Sequence, residues 1–225
     1  MFYDNKKLNI IIGAYGSGKS EISVNLALLM KKSSEKVLLA DMDIVNPFYR
    51  SADAKEILEK EGIRVIIPSY ANSNVDAPVL TGEMYVIFDD DSYKGVFDIG
   101  GEDMGANVLG SLKSRISKID CGLYMVVNTL RPFTSDIEGI AREASALQDA
   151  SGMKITGYIN NTNLLEDTSP ENILEGEALM LKTAELTGIP LVATAVYDKI
   201  ATSKLLSSLR APEIITVKRT IYYNY

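Results

Sequence analysis

Eight residues near the start of the chain, Gly13-Ala14-Tyr15-Gly16-Ser17-Gly18-Lys19-Ser20, follow the pattern G-x-x-x-x-G-K-[ST]. Each residue type in it suits the grip of a polyphosphate. Gly13, Gly16 and Gly18 allow positive φ and a close approach of backbone to oxygen. The amides from about Tyr15 to Ser20 then converge on an anion at a helix N-terminus, where unpaired N–H groups and the helix dipole favour negative charge. Lys19 adds a mobile ammonium for the β- and γ-phosphates, and the Ser20 hydroxyl is placed to ligate Mg²⁺. A glycine-rich turn that binds nothing is the bland alternative. Context argues against it, because the motif follows the β-branched run Leu8–Ile12 and opens an apolar-rich helical stretch.

A phosphate loop needs a metal partner and a means of positioning water. In an open parallel sheet those groups belong at the C-terminal ends of neighbouring strands. Asp41 and Asp43 follow the apolar run Val37–Ala40, and Asp98 follows Val96-Phe97. Asp98 reads as the carboxylate that holds Mg²⁺ through water, with Gly100 and Gly101 letting the chain pass close to the γ-phosphate. Asp43 is assigned to orienting or activating the attacking water, and Asp41 to supporting Lys19 or the waters of the metal. An isolated aspartate at a strand end more often caps a turn. Its company here favours the chemical reading for Asp43 and Asp98, and less so for Asp41.

The elements that must position these groups alternate between strand and helix. Short β-branched runs at 8–12, 36–40, 64–68, 95–99, 123–127, 155–159 and 191–196 read as strands. Helical patterns fall at 18–32, 51–61 (Ser51 as cap, Ile57 and Leu58 inward), 82–89, 106–119, 136–150, 170–187 and 201–209. The helix from Pro170 to Thr187 carries the Gly188 stop with Pro190 beyond it. Residues 69–81 read as a loop, and the tail with Tyr222, Tyr223 and Tyr225 as an added edge strand or a frayed end. The near-continuous apolar strands predict an α/β fold. Its sheet is mostly parallel, with about seven strands, covered by helices on both faces and forming a single domain over 1–225.

Composition removes other chemistries. Among 225 residues there is no His and a single Cys, Cys121, so His-dependent triads, His-ligated metals and internal disulfides are excluded. The net charge of −7 disfavours direct binding to nucleic acid. No run approaches the roughly 18 apolar residues of a membrane span, and the N-terminus lacks a signal stretch, so a cytoplasmic location is expected.

With those residues placed, the chain resembles the MinD/ParA-like ATPases. These form the deviant-Walker (SIMIBI) branch of P-loop proteins, which includes the nitrogenase iron protein and the CobQ/CobB enzymes. The resemblance rests on the phosphate loop, on Val37-Leu38-Leu39-Ala40-Asp41-Met42-Asp43 at the strand-end D-x-D, and on Phe97-Asp98-Ile99-Gly100-Gly101 at switch II. It implies ATP with Mg²⁺, an unknown protein partner, and a nucleotide-dependent homodimer. It also implies a base-reading Asn after the sixth strand, where Asn161 is preferred to Asn160. No N-K-x-D motif is visible, so ATP is preferred to GTP. The lysine that this branch carries inside its loop, to reach across a dimer, is replaced by Ala14. Either that dimer does not form or another cation substitutes, with Arg50 and Arg131 as candidates. No terminal basic amphipathic helix supports membrane targeting.

Three functions fit this pattern. The first is a slow Mg²⁺-ATPase switch in which Lys19 and Asp43 carry the chemistry. The second is an ATP-dependent synthetase or kinase of the dethiobiotin synthetase/CobB type, with a substrate pocket at 69–82 and 129–134. The third is a nucleotide-binding module that hardly hydrolyses.

Overall fold

The computed structural model describes residues 1–42, 54–67, 82–100 and 103–221, without the side chains of 103–107. Asp43, Arg50, Ser51, the loop residues 69–81, Gly101 and Tyr222, Tyr223 and Tyr225 lie outside the described residues.

Eight parallel strands form one sheet in the order β3-β2-β4-β1-β5-β6-β7-β8. They are β1 (Leu8–Ile12), β2 (Lys36–Met42), β3 (Ile63–Ile66), β4 (Tyr93–Ile99), β5 (Cys121–Val127), β6 (Gly157–Asn160), β7 (Leu191–Tyr197) and β8 (Glu213–Val217). The helices are α1 (Lys19–Lys31), α2 (Lys55–Lys60), α3 (Val86–Asp89), α4 (Asp103–Ile116), α5 (Ile137–Ser151), α6 (Pro170–Thr187) and α7 (Ser203–Ser208). The expected α/β architecture with a parallel sheet is present, with one strand more than expected.

Two apolar layers cover the sheet. Leu8, Ile10 and Ile12 of β1 join Leu109, Ile140 and Met180 of α4, α5 and α6 on one face. Ile11, between them, joins Ile22, Leu26 and Met30 of α1 and Leu58 of α2 on the other, as the two-residue period of a strand requires.

Local chemistry explains the ends of α5 and α6. Asp136 caps α5 by accepting from Gly139 N at 2.6 Å, so it precedes the helix rather than starting it. Ser169 and Asn172 form a reciprocal capping box at the start of α6, and Gly188 ends that helix at φ 71°. Ile57, expected to face inward on α2, is exposed, while Leu58 is fully buried. The sequence alone predicts no strand between the last helix and the tyrosine tail, whose alternatives lie outside the described residues. β8 lies earlier, in Glu-Ile-Ile-Thr-Val, where Ile215 and Val217 alternate inward.

The strand order places β1 between β4 and β5, so the connections leaving β1 and β4 diverge at their C-terminal edge. That divergence opens the crevice in which α/β sheets bind ligands.

Candidate functional site

The turn from β1 into α1 is built on left-handed backbone. Gly13, Gly16 and Gly18 have φ of 149°, 73° and 88°. A Cβ on Gly13 would sit 2.3 Å from the Val126 carbonyl oxygen, and one on Gly18 would sit 2.3 Å from Asn161 Nδ2. A side chain at Gly13 would have to displace the backbone of β5, whereas one at Gly18 would displace the Asn161 amide and hold a strained φ. Gly18 caps α1 with no side-chain hydrogen bond, so the first amides of the helix keep their donors for something else. Inside the loop, Ser17 N donates to Ala14 O at 3.2 Å. The Ser17 hydroxyl is wholly buried and makes no hydrogen bond among the described residues. Lys19 is buried, and its ammonium donates to Ala14 O at 3.1 Å, arching back over the loop.

A cavity of about 540 Å³ opens from this loop. Ala14, Tyr15, Gly16, Gly18, Lys19 and Ser20 form its floor. The turn after β5 supplies Arg131 and Phe133, the turn after β6 supplies Asn161 to Asn163 and Leu165, and the end of β8 supplies Val217, Arg219 and Ile221. Ala195 and Tyr197 of β7 also line it.

The two asparagines separate cleanly. Asn160, the last residue of β6, is turned toward α6: its amide donates to Ile173 O at 3.5 Å and its oxygen accepts from Thr162. Asn161 points the other way, donates from Nδ2 to Ser17 O at 2.7 Å and lines the cavity. Arg131 Nε donates to Gly16 O at 3.0 Å, so one of the two candidate cations rests on the loop from the same chain. Leu165 has φ 58°, a strained conformation for a leucine, and it borders this cavity.

The carboxylates lie deeper. Asp98 is in β4 and Asp41 is opposite it in the β2–β4 register, both almost fully buried within their strands rather than beyond them. The Ser23 hydroxyl donates to Asp98 Oδ1 at 3.2 Å. Ser23 is one turn beyond Ser20 on the same side of α1, so Asp98 contacts the helix on the Ser20 side. Neither aspartate is among the described residues that line the cavity, whereas Ser20 is.

A family model described as the CobQ/CobB/MinD/ParA nucleotide binding domain (CbiA) matches residues 10–207. The chain belongs to that family. No curated protein matches it. Three solved structures are similar in fold. The cell division protein FtsY of Thermotoga maritima shares 18% identity at a TM-score of 0.55, over 84% of this chain and 61% of its own. The signal recognition particle 54 kDa protein of Aeropyrum pernix K1, in complex with GDP, shares 18% identity at 0.50, over 82% and 40%. FlhF complexed with GTP and Mg²⁺ shares 16% identity at 0.50, over 83% and 64%. The chain thus spans less than two thirds of the length of each. The resemblance to MinD/ParA-like P-loop proteins is borne out at the level of family and fold.

Within the CobQ/CobB/MinD/ParA framework, the structure adds residues that the sequence did not single out. Glu21 and Asn25, four apart on one side of α1, bind the backbone of 218–221. Glu166 pairs with Arg219 at 3.6 Å across the two walls of the cavity. Only the four-residue spacing of Glu21 and Asn25 was a readable signal. Their partners are nearly two hundred residues away. Among the described residues no helix is long and apolar enough to cross a membrane.

Proposed function

We propose that the cavity is a nucleotide site and that the protein is an Mg²⁺-dependent ATPase acting as a slow switch or assembly factor. The observation that carries this reading is the three-glycine turn feeding the uncapped N-terminus of α1 into the cavity. The amides of Tyr15 to Ser20 and the Lys19 ammonium hold the β- and γ-phosphates, and Asn161 holds the loop and the base edge together.

The donors present fit Mg²⁺. Ser20 supplies a hydroxyl on the cavity floor. Asp98, bonded to Ser23 and outside the lining, supplies a carboxylate that would act through water. No group of three or more acidic or thiol side chains among the described residues forms a cage. Such a small set suits a cation that keeps its waters and shares phosphate oxygens. Bound there, the metal neutralises charge on the phosphates. Asp43, outside the described residues, orients the water for in-line attack.

ATP is the preferred nucleotide. After Asn161 the chain reads Thr162-Asn163-Leu164, without the carboxylate of a guanine motif. Residues 1–225 form one domain in this reading, at work in the cytoplasm, with Arg131 in the place of the missing loop lysine. A nucleotide-dependent homodimer and a protein partner complete the reading, with no part for membrane or nucleic acid.

Calorimetry with ATP·Mg²⁺ and GTP·Mg²⁺, followed by ADP release, tests the proposal. Tight ATP binding is expected, lost about 100-fold in Lys19→Ala, with linear basal turnover that Asp43→Ala abolishes. Turnover that starts only when a small carboxylate is added favours the synthetase reading. Binding without turnover favours the module, and no binding of any purine triphosphate removes the proposal.

A further inference from the structure

The wall of the cavity opposite Asn161 is not part of the sheet. It is the segment 218–221, which continues from β8 and lines the cavity with Arg219 and Ile221. Among the described residues no strand pairs with its backbone there. It is gripped by side chains of α1.

Asn25 makes a reciprocal amide pair with Lys218. Its Nδ2 donates to Lys218 O at 2.9 Å, and Lys218 N donates back to Asn25 Oδ1 at 2.9 Å, the pattern a neighbouring strand would provide. One turn nearer the phosphate loop, Glu21 Oε1 accepts from Thr220 N at 2.8 Å and from the Thr220 hydroxyl at 2.6 Å, while Oε2 accepts from Ile221 N at 3.3 Å. Asn25 Nδ2 also donates to Glu21 Oε1 at 3.1 Å, which couples the two clamps. Glu21 directly follows Ser20, so this carboxylate stands beside an anion site and turns its charge toward the segment. A carboxylate is a poor neighbour for phosphate. The donors it holds account for its presence at that position.

We infer that Glu21 and Asn25 are positioning residues for the nucleoside end of the ligand. The tip of α1 holds the phosphates, and the first turns of the same helix hold the wall against which base and ribose pack. The inference rests on the nucleotide reading of the cavity and goes beyond it, because it divides the site into a phosphate half and a nucleoside half with separate residues. Loss of either clamp lowers affinity for a nucleotide and leaves affinity for a bare polyphosphate intact.

The test compares ATP with inorganic tripolyphosphate, each with Mg²⁺, by calorimetry on the full chain. In Glu21→Ala, ATP affinity falls about tenfold, the scale set by losing charged hydrogen bonds, while tripolyphosphate binds within twofold of wild type or more tightly. Glu21→Gln and Asn25→Ala shift the ratio in the same direction and carry the comparison if Glu21→Ala does not fold. Hydrogen exchange at the amides of 218, 220 and 221 slows on adding ATP and not on adding tripolyphosphate. Equal loss of both ligands means that the clamps merely support the phosphate loop and overturns the inference, as does a ratio that does not move. A wild-type chain that binds neither ligand removes the nucleotide reading itself, which is a different failure.

Discussion

At Glu21, burial and hydrogen bonding act in opposite directions. Burial pushes the carboxyl above its ordinary 4.5, and the donors from Thr220, Ile221 and Asn25 offset only part of that rise. Lys218 and Arg219 flank the clamp on the segment it holds. A folded-state value above the unfolded one means that the native chain holds this proton more tightly. The corresponding stability is complete below pH 4.5 and is lost as pH rises through the folded value. Glu21→Gln removes the titration. The difference in melting temperature, variant minus wild type, is therefore expected to become more positive as pH rises from 4.5 through the folded value, as read by thermal melts. A flat difference across that window would mean that burial does not govern this carboxyl.

At the scale of elements, the reach of sequence reading depended on how local the determining chemistry is. The phosphate loop and α6 were legible because glycine, proline and capping residues act within a few positions of themselves. Which of Asn160 and Asn161 faces the loop depends on the alternation of β6, and one residue of register reverses it. β8 was missed because its alternation covers only five residues at a sheet edge, where two positions suffice to bury one face. The wall at 218–221 was invisible because its contacts join residues about 200 positions apart. β8 depends on a second distant anchor. Glu177, buried on α6, accepts from Thr194 Oγ1 at 2.8 Å and from the amides of Arg210 and Ala211 at 2.8 and 3.1 Å, just ahead of β8. Glu177→Ala leaves these donors unsatisfied and is expected to cost about 2–3 kcal/mol in urea unfolding. Its hydrogen exchange is expected to rise first in β8. A loss within about 0.5 kcal/mol, the range of ordinary surface substitutions, would show that water replaces the carboxylate without penalty.

At the scale of the molecule, a continuous parallel sheet leaves little room for independent parts. β1 passes apolar side chains to both layers, and the phosphate loop leaves directly from its end, so the site cannot open without disturbing both cores. The segment 218–221 returns to α1 from the far edge of the sheet, which ties β8 to the first helix. Residues 1–225 are therefore expected to melt in a single transition, and ligand binding to move that transition as a whole. At a hundred times its dissociation constant, ATP·Mg²⁺ stabilises the native state by about 2.7 kcal/mol. For a chain of this size that corresponds to a rise of roughly 5–11 °C in a calorimetric scan. Tripolyphosphate at the same multiple of its own constant gives an equal rise, because linkage depends on saturation and not on which half of the site is filled. Two transitions, only one of them moving with nucleotide, would place the phosphate loop and β8 in separate folding units. The clamp from α1 to 218–221 would then have to be an interface between units rather than a seam within one.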